Sequence, residues 1–217
     1  MDTITISNLS IHLSNGLGPS AFNIIPPPPC PALLTVQIHL QPNIVPSCSS
    51  NDTLTGLGVN YSSVTKAIYA STTESSRSFA KPLELVREVA KVVFKVGGDA
   101  VRSVRIEVDL PRAVLMAQSV AYSASSEIGD DEVEGKVWSC EIRDLRLSCL
   151  IGLHEHERRE KQRLGVDVEV QGFDQEVWNH RAFTNEVVEV CRSIPLVSEK
   201  ASLTGTKVLG DQLFGHA

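Results

Sequence analysis

At 217 residues and 23.6 kDa the chain suits one large domain or two small ones. A net charge of −6 and a pI near 5.5 exclude a nucleic-acid or anionic-membrane surface as its main business, because both need concentrated positive charge. Five cysteines without a C-x-x-C pair, and an N-terminus without a signal-peptide pattern, predict a cytoplasmic, thiol-containing protein.

Met1 to Leu13 alternates with period two through Ile4, Ile6, Leu9, Ile11 and Leu13, with a slip near Asn8, which predicts a strand. A Gly/Pro-rich loop with four successive prolines follows. Prolines cannot donate to a sheet ladder, so this is an extended surface segment. "LLTVQIHL" (33–40) resumes the alternation, and 41–58 reads as loop. A helix is predicted over about Ser62 to Ser71. A second opens at Pro82, carries Leu83, Val86, Val89, Val92 and Val93 on one stripe, and stops at Gly97-Gly98. "VRSVRIEVDL" (101–110) and "AVLMAQSVAY" (113–122) read as a hairpin turning at Pro111-Arg112. The acidic stretch 124–136 reads as a linker.

After that stretch the pattern begins again. "ISNLSIHL" (6–13) lies over "IRDLRLSC" (142–149), and Gly16-Leu17 falls on Gly152-Leu153. A gap of about six residues then brings 34–40 onto 164–170. Ordered matches on both sides of one loop imply an internal duplication. The expected organisation is copy 1 at 1–123, a linker at 124–136, and copy 2 at 137–217. Copy 2 has a helix at 181–192 but no sequence for a closing hairpin. Antiparallel strands with a helix pair on one side make the fold class α+β.

The loop "IGLHEHERREKQR" (151–163) is the densest run of ionisable side chains in the chain. Taken as residues alone, it leaves several readings open. Alternation sets His154 with His156, or Glu155 with Glu157, on one side, but a zinc site needs a third ligand and none has a recognisable spacing. A basic patch is offset by the glutamates at 155, 157 and 160. A solvated loop is the plain alternative.

The stretch 151–170 resembles dihydroneopterin aldolase, the folate-pathway enzyme. Ile151, Gly152, Leu153, His154, Glu157, Arg158, Gln162 and the alternating Val166, Val168 and Val170 fall in register with the family's isoleucine-glycine-hydrophobe-histidine run, its glutamate-arginine, its glutamine and its apolar strand. "VNYSSVTKAI" (59–68), "SFAKPLELVREVA" (78–90) and "VRIEVDLPRAV" (104–114) are similar to other family segments. The resemblance implies a tunnelling fold in two tandem copies, the second C-terminally incomplete, as at the front of fungal multifunctional folate proteins. It also implies a pterin substrate, a homo-oligomer, and no cofactor, metal, nucleic-acid or membrane partner.

The implied reaction is retro-aldol cleavage of dihydroneopterin to hydroxymethyl-dihydropterin and glycolaldehyde, with the pterin ring's own C=N bond accepting the electrons. The resemblance assigns substrate binding to Glu84, with Leu83 beside it, and catalysis to Glu157 and Tyr61. A carboxylate meets the amino and N–H edge of a pterin with a forked pair of charge-assisted bonds. The chain also departs from the family. The lysine expected before the hairpin proline is Leu110, which cannot relay a proton, and nearby Arg112 is permanently charged. Copy 1 has Ala21 where the loop glutamate belongs. Copy 2 has no carboxylate in 204–209, and its tyrosine position falls nearest Phe183. The alternative function is a non-catalytic pterin-binding or scaffold paralogue.

Overall fold

The computed structural model describes residues 2–17, 24, 28–42, 44, 59–73, 78–111, 113–127, 138–150, 154, 156, 159–173 and 179–193. Within them six strands, β1 (Thr3–Leu13), β2 (Cys30–Leu40), β3 (Val101–Leu110), β4 (Ser119–Glu127), β5 (Ser139–Cys149) and β6 (Gln162–Gln171), form one sheet in chain order. Every neighbouring pair is antiparallel. The helices α1 (Tyr61–Thr72), α2 (Pro82–Gly97) and α3 (His180–Ser193) lie on one face of it, α1 on β1, α2 on β3 and β4, and α3 on β5. This is the tunnelling fold in two tandem units, α+β as the sequence predicts. The expected incompleteness of the second unit concerns 194–217, which lie outside the described residues.

Alternation decides which residues the helices cover. Leu34, Val36, Ile38, Val104, Val108, Cys140 and Leu145 are fully buried on the helix side, while Thr35, Arg105, Glu107 and Glu141 point the other way. α2 forms as its sequence predicts. Pro82 fits the first turn, where its missing N–H costs nothing, and Gly98, at φ 51, ends the helix in a conformation L side chains rarely adopt. Its stripe Leu83, Leu85, Val86, Val89, Ala90 and Val93 is buried, each larger side chain contributing roughly 1.5–3 kcal/mol.

The two units repeat down to a local irregularity. β1 slips register between Ile6 and Leu9, and β5 slips between Ile142 and Leu145. The bulged residues Asn8 (φ 52) and Asp144 (φ 48) are the described non-glycine residues with positive φ. In each unit the bulged N–H finds a side chain on the neighbouring strand. Asn8 N–H donates to Thr35 Oγ1 (3.3 Å), and Asp144 N–H donates to Asp167 Oδ1 (2.7 Å).

Three expectations need correction. Leu9 pairs with Leu34 and Leu145 with Val166, so Leu34 corresponds to Val166 and not to Leu164. β1 and β5 end at Leu13 and Cys149, and β2 and β6 begin at Cys30 and Gln162, so the first loop is four residues longer rather than six. A two-residue slip leaves every side chain on its own face, so alternation cannot detect it. Next, the closing strand of the first hairpin is not 113–122. Leu115 (67 % exposed) and Met116 lie in the turn, and the ladder begins at Ser119. Finally, 124–127 are not linker, because β4 continues to Glu127, while 128–136 lie outside the described residues. Pro31 enters β2 without penalty, because the β3 ladder begins only at Leu33.

Candidate functional site

Glu84 stands in the first turn of α2, exposed to solvent. Its Oε2 accepts the Ala80 N–H at 2.7 Å, so one backbone donor before the helix orients the carboxylate. The negative charge also suits the positive end of the helix dipole. Leu83 beside it is 7 % exposed and belongs to the core. The approach to the helix is pinned from the other side. Leu17, after β1, makes a parallel bridge to Phe79, both are buried, and Gly16 (φ 70) supplies the turn between them and β1. Cys30 opens β2 at the same place. Burial pushes its thiol pKa up, opposed by a hydrogen bond from the Leu17 backbone. Its counterpart in the second unit is Gln162, because Leu13 faces Cys30 as Cys149 faces Gln162.

Tyr61 opens α1 and is 66 % exposed. The end of α2 adjoins the start of α1, since a Cβ built on Gly97 would lie 3.3 Å from Val59 Cγ2. The helices therefore run antiparallel, and Tyr61 and Glu84 occupy opposite ends of the pair. Twelve residues of α1 separate these ends by about 18 Å. One copy does not bring Tyr61 and Glu84 together.

Leu110, at the family's lysine position, is 3 % exposed on the helix side of β3. Glu157 and Arg112 lie outside the described residues, as does Ala21. Of the charged loop, His154 and His156 are described, with rings stacked 5.5 Å apart at 6°. The histidines thus share a side, as alternation allows. Among the described residues no group of three His, Cys, Asp or Glu side chains could hold a metal ion.

The second unit's tyrosine position also needs correction. Asn60 Oδ1 accepts from the Ser62 and Ser63 N–H groups (2.9 and 3.4 Å), and Asn179 Oδ1 accepts from Arg181 and Ala182 (3.0 and 3.2 Å). Thr65 and Thr184 then each donate to the carbonyl four residues back, those of Tyr61 and His180. Equivalent caps make His180 the counterpart of Tyr61, and Phe183 that of Val64. His180 turns inward. It is 1 % exposed, and its Nδ1 lies 2.6 Å from the Tyr122 hydroxyl of β4, with Phe173 edge-on to the same tyrosine. This pair escaped the sequence reading, although Asn179 placed ahead of an apolar stripe signals the helix start that fixes His180.

The opposite face of the sheet is polar. Arg143 there reaches Glu141 (2.6 Å), Glu107 (2.9 Å) and Asp109 (3.6 Å). Burial works against its charge, but the carboxylates of Glu141 and Glu107 more than offset this and raise its pKa. A groove of about 470 Å³ beside it is lined by Gln118, Glu141, Arg143, Asp144, Gly165 and Asp167. The sheet separates this groove from Glu84.

The class follows from this arrangement. Two tandem units of strand, loop, strand and helix on one sheet define a protein of the tunnelling fold. In particular, the chain is 30% identical over 131 residues to the folic acid synthesis protein fol1 of Schizosaccharomyces pombe. The match covers 58% of this chain and 16% of that protein, so the chain spans a small part of its relative's length. A uricase from Bacillus fastidious aligns over 91% of this chain and 75% of its own, with a TM-score of 0.68 at 11% identity, a likeness of fold. The E. coli dihydroneopterin aldolase solved with neopterin aligns over 58% of this chain and 99% of its own, with a TM-score of 0.47 at 18% identity. No protein-family model matches the chain. Among the described residues no helix is long and apolar enough to cross a membrane.

Proposed function

We propose that the chain is a folate-pathway protein that takes dihydroneopterin and cleaves its side chain by a metal-free retro-aldol reaction. The observation that carries this reading is Glu84, an exposed carboxylate at a helix start, oriented by Ala80 and flanked by buried Leu83. Such a group suits the paired amino and N–H donors of a pterin edge. Similarity to the fission-yeast folate protein supports the substrate class. In this reading Glu157 and Tyr61 act at the substrate side chain. Since Tyr61 lies about 18 Å along α1 from the Glu84 end, the tyrosine of a complete site comes from another unit, in an oligomer.

Leu110 favours a second reading. A buried leucine moves no proton, and a chain that keeps Glu84 without the lysine binds a pterin and turns it over slowly or not at all. Two measurements separate the readings. Titration of a pterin into the wild type and Glu84→Ala should show a loss of affinity of about 100-fold, two charge-assisted bonds at roughly 1.5 kcal/mol each. Unchanged affinity removes Glu84 as the anchor. Glycolaldehyde release from dihydroneopterin tests the chemistry. Release that falls in Glu157→Gln supports the aldolase, and binding without release establishes the second reading.

A further inference from the structure

Two buried cysteines of the second unit stand where a helix meets its strand. Cys149 is the last residue of β5, and Cys191 lies in the last turn of α3, the helix that packs on that strand. They are 3 % and 9 % exposed. Cys149 shares the helix side of the sheet with Leu145 and Leu147, and Cys191 shares the buried face of α3 with Phe183, Thr184 and Val188.

The first unit shows how the two elements meet. There the Tyr69 hydroxyl, in the last turn of α1, donates to the Ser10 carbonyl near the end of β1 at 2.8 Å. The end of the helix therefore lies over the end of the strand. The paired bulges make Leu13 the counterpart of Cys149, and the paired caps make Thr72 the counterpart of Cys191. Leu13 and Thr72 are both buried. The second unit thus carries a thiol at each of two core positions on the same helix–strand contact. The charges agree with this placement. Burial pushes the Cys191 thiol pKa up, and the negative charge of the Cys149 thiolate adds to the rise. Such an effect needs proximity, because the field of a single charge falls away with distance.

We propose that Cys149 and Cys191 are an oxidation-sensitive pair that closes a disulfide and locks the last turn of α3 to the end of β5. The co-reactant is hydrogen peroxide. One thiolate attacks a peroxide oxygen, the O–O bond breaks, and a sulfenic acid forms. The other sulfur attacks the sulfenic sulfur, whose oxygen leaves as water while the S–S bond forms. Two thiols and one hydrogen peroxide give one disulfide and two waters, so sulfur is oxidised and peroxide oxygen reduced. Both residues end their elements, where local opening costs least and admits a small oxidant. Burial keeps the reaction slow at neutral pH, and a thiolate that forms reluctantly also leaves reluctantly, so the closed disulfide resists exchange with other thiols. Cys149 stands just ahead of the charged loop 151–163, which places the lock at the foot of that loop.

The full chain, reduced and then exposed to hydrogen peroxide, tests this by peptide mapping without reductant and by calorimetry. The map should show Cys149 linked to Cys191, and the yield at a fixed time should rise with pH. Closing a loop of about 40 residues should raise Tm by about 10 °C, and a phosphine reductant should reverse the rise. Cys191→Thr and Cys149→Leu carry into the second unit the residue types of the first, so both should fold, and neither should gain stability from peroxide. Cysteines that stay unlinked, or that link to another partner, overturn the proposal. A peroxide-induced rise in Tm that survives in either variant overturns it as well, as does a cross-link that leaves Tm unchanged.

Discussion

Tyr122→Phe removes one oxygen from the junction between the two units and leaves the ring in place. The hydroxyl lies 2.6 Å from His180 Nδ1, and the two residues are 4 % and 1 % exposed, so water cannot replace it without opening the core. Phenylalanine keeps the edge-on contact with Phe173, whose ring centroid is 6.4 Å away, so the change isolates the polar term. Leaving a buried imidazole nitrogen without this partner costs about 1–3 kcal/mol. For a chain of this size each kcal/mol lowers Tm by roughly 3 °C, which gives a loss of about 3–9 °C. Urea denaturation and calorimetry would measure it, with Tyr122→Phe/His180→Leu closing a double-mutant cycle. The double variant should recover part of the loss, because removing both partners leaves no buried group stranded. A stability change for Tyr122→Phe below about 0.5 kcal/mol, or a cycle that is simply additive, would refute the reasoning.

The repeated helix caps predict a matched pair of effects. Asn60→Ala and Asn179→Ala should each cost about 1 kcal/mol in chemical denaturation, and a cost confined to one of them would break the structural equivalence of α1 and α3. Cys30 supplies a pH test. Its folded pKa is raised by burial, so the stability it contributes is present below the ordinary thiol value and is lost as pH rises through the raised one. Alkylation of Cys30, followed by mass spectrometry, should lag an ordinary thiol at neutral pH and accelerate only above about pH 8.5; a rate matching a small-molecule thiol contradicts the burial.

The sequence alone determined whatever depends on local periodicity and capping. Pro82 and Gly98 bounded α2 because one lacks an N–H and the other tolerates positive φ. Alternation assigned the faces of β1, β2 and β3, and the slip at Asn8 marked the bulge. The duplication was legible because a 3.6 or 2.0 period with fixed breaks survives divergence. The tertiary structure decided what local pattern leaves degenerate. The β5–β6 register is two residues from the sequence alignment, since a two-residue slip changes no face and only pairing partners distinguish it. β4 lies in the Ser/Ala-rich run from Ser119, not in the more apolar 113–118, because a strand between two others is held by its neighbours rather than by its own propensity. Glu84 and Tyr61 stood together as candidate site residues in the sequence, yet their placement at opposite ends of an antiparallel helix pair was not legible there. Nor was the turn of His180 into the core, which brings together side chains 58 residues apart in the chain. Distances of that kind depend on how elements pack, and no spacing along the chain encodes them.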